Sequence, residues 1–288
     1  MFDESKKFFS VPLEEKMKLS KKEHRGYTAL YAEKLDPTSR AQGDLKESFY
    51  IGPLDDEACN LNQWPSKELL PNWRPTMEAY YRKVMSAGKV LLSLIALALN
   101  LDDKFFENMG ALGKPLGFLR LLHYPGDITR YNEEILGASA HSDYGMITLL
   151  STDGVPGLQA WPTLSENLSV CRDKDRQPRV WEDVPHIEGA LIVNVGDITE
   201  RWTNCLFRYR TFHAFLDLQR TCRNRLFPVS LHVITALHSQ HDAAFFFDPP
   251  ADLLVECIES CCSASNPPRF PPIRAGDYLQ ERFRLTYA

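Results

Sequence analysis

Between Trp73 and Leu99 apolar residues return every three or four positions, at Met77, Tyr80, Tyr81, Val84, Ala87, Val90, Leu91, Leu94 and Ile95. That spacing gathers them on one side of a helix, so it predicts a long amphipathic helix backing a sheet. The stretch from Phe8 to Leu19 also reads as helical, with Pro12 at a helix start and Glu14 and Glu15 in the first turn, where the helix dipole favours acids. Its apolar Phe8, Phe9 and Met17 are expected to have nothing before them to pack against. Beyond Leu116 the pattern shortens. The runs 117–124, 146–150, 157–159, 189–194 and 244–247 are separated by Gly, Pro and Asp, which predicts many short strands in a β-sandwich or jelly-roll barrel. Helices first and a β-barrel second gives a mixed α/β (α+β) chain, divided into residues 1–110 and 111–288.

One stretch carries candidate chemistry. In Gly-Ala-Ser-Ala-His-Ser-Asp-Tyr-Gly, residues 137–145, His141 and Asp143 stand two apart and lead into an alternating apolar run. On a strand, residues i and i+2 share a face, so the two side chains are expected to converge. An imidazole and a carboxylate, completed by a distant second His, make the facial triad that holds non-haem Fe(II) and leaves positions open. Taken alone, a His-x-Asp triplet is equally a hydrogen-bonded surface couple.

Composition removes several classes of function. At 288 residues, 44% hydrophobic and 25% charged, the chain can bury a sizeable core. A net charge of −5 gives no basic footprint for nucleic acid. The longest apolar stretch, Val90 to Leu99, is too short to span a bilayer, and the charged start lacks the apolar core of a signal peptide. Seven cysteines, odd in number, suit reduced thiols, and Cys257, Cys261 and Cys262 have no spaced partner cluster for zinc. A cytoplasmic monomer without nucleic-acid or membrane partners is expected. His123 and His186 read as structural or solvated, the His238/His241 pair as a loop, and Phe245 to Phe247 as core strand.

Three further motifs align with the His-x-Asp stretch: Leu-Arg-Leu-Leu-His-Tyr-Pro (119–125), Asp-Gly-Val-Pro-Gly-Leu-Gln (153–159), and the segment from Asn194 to Asn204. With the tail motif Ala-Gly-Asp-Tyr-Leu (275–279), the chain resembles the plant 2-oxoglutarate- and Fe(II)-dependent dioxygenases of the isopenicillin N synthase-like group. The resemblance implies a double-stranded β-helix (jelly-roll) core with a helical N-terminal part, here lacking the family's first strands. It also implies Fe(II) on His141, Asp143 and a distal His, and 2-oxoglutarate chelating the metal. Tyr124 would face the same cavity, and an Arg and a Ser would hold the far carboxylate of the co-substrate. With O2, such a site hydroxylates or desaturates a small organic molecule. Gly154 and Gly157 would allow tight turns, Gly196-Asp197 would turn one strand into the next, and Trp202 would anchor the core.

The chain departs from that pattern in two places. The distal ligand has two candidates, His232 in Ser-Leu-His-Val and His213 in Arg-Thr-Phe-His. Residues 160–169 and 209–229 read as inserted sequence, expected to form irregular loops outside the barrel. Where the family has Arg-Tyr-Ser before its phenylalanines, this chain reads Gln240-His241-Asp242, so the anchor falls to Arg225 or Arg223 or is missing. Three functions follow: an active oxygenase, an impaired relative from truncation or mis-splicing, or a cupin-type ligand-binding barrel without redox chemistry.

Overall fold

Two short helices open the chain, α1 (Phe2–Phe9) and α2 (Leu13–Met17), with Pro12 capping the second. Strands β1 (Gly26–Thr28) and β2 (Glu47–Ile51) follow, then the long helix α3 (Trp73–Ala98) and α4 (Phe105–Asn108). The barrel strands are β3 (Leu116–Tyr124), β4 (Ala138–His141), β5 (Ile147–Thr152), β6 (Leu158–Ala160), β7 (Glu182–Asp183) and β8 (Ile192–Val195). Helix α5 (Asp197–Trp202) precedes β9 (Arg210–His213), β10 (Arg225–Pro228), β11 (Leu231–Val233) and β12 (Gln240–Asp248), and helix α6 (Ala275–Thr286) closes the chain. This computed structural model describes residues 1–35, 43–54, 61–112, 116–126, 137–160, 182–207, 210–213, 225–228, 231–233 and 239–286.

The larger sheet runs β1-β2-β3-β12-β5-β8 and the smaller β4-β11-β6-β7, with antiparallel pairing throughout both. They are the two halves of a jelly roll, extended at one edge by β1 and β2 from the N-terminal part. Central β12 sorts its residues by parity. Ala243, Phe245 and Phe247 enter the apolar core under α3, whereas Asp242, Ala244 and Phe246 face the barrel interior. Phe245 and Phe247 thus belong to the main core, and Phe246 packs on a second apolar cluster that borders the chambers.

Several expectations are corrected here. The buried face of α3 runs through Met77, Tyr81, Val84, Gly88, Leu92 and Ala96, and the expected Val90 and Leu94 are 58% and 52% exposed. Phe8 and Phe9 are buried, Phe8 against Phe49 and Trp73, because α1 packs onto the sheet and α3; only Met17 is left exposed. Gly196 caps α5 instead of joining two strands. Asp143 lies beyond the end of β4, in the turn before β5. Within the supposed insert at 209–229, β9 and β10 pair as antiparallel strands, so that part is not irregular. Ala160 belongs to β6, and 161–169 lie outside the described residues.

A polar network clips the N-terminal helices to the sheet. Glu47 accepts hydrogen bonds from Lys16 Nζ (2.7 Å), the Tyr27 hydroxyl (2.5 Å) and His123 Nδ1 (2.6 Å), so its charge is buried with three partners. His123 stacks on His241 at 4.5 Å, and His241 lies on β12 and not on a loop. His123 is thus structural, in line with the sequence reading. His186 is solvent-exposed beside Thr152, and His238 lies outside the described residues.

At Gly88 α3 lies close against the sheet, since a Cβ there would overlap the Phe247 ring. Gly88→Ala gains about 1 kcal/mol of helix propensity but overpacks the core, a cost of about 1–3 kcal/mol. The packing term is expected to win because the obstacle is a fully buried ring, and urea unfolding should show a lower midpoint with an unchanged slope.

Candidate active site

His141 ends β4 and Asp143 lies two residues later in the turn, yet their side chains meet. His141 Nε2 stands 3.6 Å from Asp143 Oδ1. The orientation of each is fixed from behind. The Ser139 carbonyl can only accept, so His141 Nδ1 carries the proton of their 2.8 Å hydrogen bond and Nε2 presents its lone pair forward. Asn194 Nδ2 donates to Asp143 Oδ2 at 2.6 Å, holding the carboxylate and leaving Oδ1 turned to the imidazole. Donors closer than about 4.2 Å can share one ion at metal–ligand distances of roughly 2.1 Å, so this pair fits a first-row metal. Among the described residues no third His, Cys, Asp or Glu completes the group.

The two remaining histidine candidates differ in their strand neighbours. β11, which carries His232, pairs with β4, and Leu231 lies directly opposite His141. β9, which carries His213, pairs with β10 in a separate two-stranded sheet, where His213 lies opposite Arg225. Arg223 lies outside the described residues.

Two chambers meet at His141 and Asp143. The inner one, about 60 Å³, lies inside the barrel; its polar lining includes Lys46, Arg120, Tyr124, Thr148, Asn194 and Asp242. Tyr124 thus faces the same cavity as the His-Asp pair. Burial pushes its hydroxyl well above the usual range, and the charge of Asp242 adds to this. The outer chamber, about 250 Å³, has Phe118, Tyr50, Tyr144, Phe246, Leu279 and Phe283 among its walls, with Lys21 and Arg120 to one side. Helix α6 covers it. Tyr278 donates to Asp197 Oδ2 at 2.6 Å, Arg282 to Ser142 Oγ at 3.3 Å, and Phe283 stacks on His24 at 4.8 Å.

Sequence reasoning missed the charges behind these chambers. Lys46 contacts Asp44 at 2.5 Å and Glu33 at 3.6 Å, Arg120 pairs with Glu33, and Asp44 accepts from both the amide (3.2 Å) and the hydroxyl (2.7 Å) of Ser139. The same Ser139 orients His141, so this cluster buttresses the His-Asp pair. On β12, Asp242 is fully buried and its carboxyl is pushed up to about 7 by desolvation, with Gln240 donating to it at 3.1 Å. Asp248 is likewise raised to about 7, by burial and then by the nearby Asp143 charge.

Comparison with known proteins gives these features a family. Residues 1–67 match the model of the non-haem dioxygenase in morphine synthesis N-terminal domain, and residues 116–226 match the 2OG-Fe(II) oxygenase superfamily model. Kihadalactone A synthase of Citrus sinensis is 34% identical over all of this chain and 80% of its own length. A 2-oxoglutarate-Fe(II) type oxidoreductase of Emericella nidulans is 30% identical over all of this chain and 76% of its own. Among solved structures, a full-length Neurospora crassa protein in complex with alpha-KG and thymine superposes with a TM-score of 0.74 at 26% identity, covering 99% of this chain and 81% of that one. The chain belongs to the 2OG-Fe(II) oxygenase superfamily, enzymes that use Fe(II) and 2-oxoglutarate on small metabolites.

Asp242 gives a pH signature. Its folded-state value of about 7 lies above the ordinary carboxylate value of 3.8, so the folded state holds a proton that the unfolded chain releases, and the group costs stability as pH rises from about 4 to 7. Asp242→Asn should therefore raise the apo unfolding free energy by about 2–4 kcal/mol at pH 8 and by progressively less toward pH 4, as followed by thermal melts in chelator.

Proposed function

From the chain's place in this superfamily, we propose that it binds Fe(II) through His141, Asp143 and His232, and uses 2-oxoglutarate and O2 to hydroxylate or desaturate a small organic molecule in the outer chamber. The observation that carries the reading is the convergence of His141 Nε2 and Asp143 Oδ1 at the junction of a polar inner chamber and an aromatic outer one. His232 is kept ahead of His213 because its strand adjoins β4, the strand that ends in His141, although the residue paired with His141 itself is Leu231. The superfamily match ends at residue 226, which keeps His213 as the second candidate.

When bound, the metal supplies activation of O2 coupled to decarboxylation of the oxo acid. The chain's own residues do the rest. Ser139 fixes the imidazole tautomer and Asn194 fixes the carboxylate. Helix α6 and the ring of Phe246 supply apolar wall to the outer chamber, against which the carbon skeleton of a substrate can pack. The Neurospora crassa complex holds alpha-KG together with thymine, the kind of pairing that two adjoining chambers suit. In the same reading residues 1–110 form the helical part and 111–288 the oxygenase domain, acting as a cytoplasmic monomer without nucleic-acid or membrane partners. Among the described residues no helix is long and apolar enough to cross a membrane. A second reading, an impaired family member, is favoured by Gln240 and Asp242 at the anchor position.

Anaerobic Fe(II) titration and release of CO2 from labelled 2-oxoglutarate test the assignment together. His141→Ala, Asp143→Ala and His232→Ala are each expected to weaken iron binding by at least about tenfold and to abolish CO2 release, with His213→Ala close to the parent. The reverse ranking of the two histidines would move the third ligand to His213. Iron binding without any CO2 release in the parent chain would favour the impaired reading.

A further inference from the structure

Buried carboxyl groups in this fold are held by neighbouring side chains. Glu33, Asp44, Glu47, Asp197 and Asp242 each accept a hydrogen bond from one. Asp248, at the end of β12, is 7% exposed and stands in the wall of the outer chamber, and no described residue donates to it or pairs a cation with it. Its oxygen end rests against the turn that carries Asp143. A Cβ at Gly145 would overlap Asp248 Oδ1, so the missing side chain at 145 is what makes room for the carboxyl group. Asp248 does not complete the metal group, since among the described residues no third imidazole or carboxylate does.

A polar group buried without a partner costs free energy, and one in a cavity wall is satisfied when a ligand supplies the missing donor. The other acidic and basic side chains of this chamber are already engaged. Lys21 and Arg120 both reach Glu33, Asp143 takes the Asn194 amide, and His24 stacks on Phe283. Much of the remaining wall is rings and alkyl groups, Phe118, Phe246, Leu279 and Phe283 among them. A mostly apolar pocket orients its ligand through the few polar groups it holds.

We propose that Asp248 is the specificity-determining anchor of the substrate, accepting a hydrogen bond from an O–H or N–H group on an otherwise apolar, ring-bearing molecule. The inference rests on the oxygenase reading of this chamber and deepens it by naming the substrate class. Because the carboxyl group sits against Gly145, two residues beyond Asp143, the anchored donor is held toward the His141–Asp143 end, with the carbons bonded to it. Such a group also selects by rejection, since an analogue without the donor leaves it buried and unpaired.

The test uses probes of similar shape: 2-phenylethanol, phenethylamine, (2-methoxyethyl)benzene, in which methyl replaces the alcohol proton, and 3-phenylpropanoate. Their binding to the full chain is followed by ligand-observed NMR titration in chelator, so that no metal is required. The parent should bind the alcohol or the amine about 10- to 100-fold more tightly than the ether, the worth of a hydrogen bond to a charged group. Asp248→Asn, which keeps the shape and one acceptor oxygen, should weaken both donors, the amine more than the alcohol, and leave the ether unchanged. Asp248→Leu should bring donors and ether level. The amine ahead of the alcohol in the parent identifies an ammonium as the preferred donor, and the reverse identifies a hydroxyl. Donors bound no better than the ether by the parent, a donor preference unchanged in Asp248→Asn, equal weakening of every probe in the variants, or tightest binding of 3-phenylpropanoate would each overturn the proposal. The charge-transfer band of anaerobic Fe(II) with 2-oxoglutarate, recorded on the same preparation, tests the oxygenase reading separately. Its absence would remove that reading, while the ranking of the probes in chelator still decides whether Asp248 anchors a donor.

Discussion

The two-residue period of β3 and β12, which lie side by side in the larger sheet, is the constraint on which the rest of the structure depends. One parity of each strand, Leu119 and Leu121 with Phe245 and Phe247, is committed to the core beneath α3. The other, Arg120, Leu122 and Tyr124 with Asp242, Ala244 and Phe246, is thereby turned into the chambers. A slip of one residue would put Arg120 and Asp242 into hydrocarbon and two phenylalanines into the polar cavity, so the apolar packing enforces the register that builds the site.

That division has an electrostatic counterpart. Asp44 touches Ser139 through its amide and hydroxyl and also pairs with Lys46, and Ser139 offers its carbonyl to His141. The imidazole is thus oriented through a short chain of contacts that reaches Lys46, the residue before β2, in the part of the molecule that precedes the barrel. Replacing any one member leaves buried groups without partners, which costs more than the lost contact itself. Helix α6 forms a second tie, because Arg282 donates to Ser142, the residue between His141 and Asp143.

Where one periodicity rules, the sequence is legible. The bounds of α3 and the places of β3, β5, β6 and β8 follow from apolar spacing and turn residues. Apolar spacing misplaces the buried face of α3 near Val90 and Leu94 because Gly88, which has no side chain to score, lies close against Phe247. The i, i+2 rule puts Asp143 on the strand because it gives convergence without fixing where the strand ends; a turn achieves that convergence instead, with Asn194 holding the carboxylate. The ion cluster of Lys46, Glu33, Asp44 and Arg120 is not legible in the sequence, although Arg120 lies in the 119–125 motif, since no spacing rule links its members and only the fold brings them together. The place of Tyr124 is visible because it sits near the end of a seven-residue motif, 119–125, that is read as one piece.

The departure at Gln240 and Asp242 then takes on a different meaning. Removing an arginine from a pocket that must hold a dianion leaves the anion uncompensated, unless charge is supplied from another wall. An aspartate at the neighbouring inward position would aggravate this when ionised, and its full burial, with Gln240 donating to it, raises the carboxyl to about 7 and defers that ionisation to neutral pH. With a value of about 7 the Asp242 carboxyl exchanges its proton near neutral pH, so the charge it adds to the chamber there is partial. A motif read along one strand tests a single location, whereas the potential inside a closed barrel depends on the sum over all its walls.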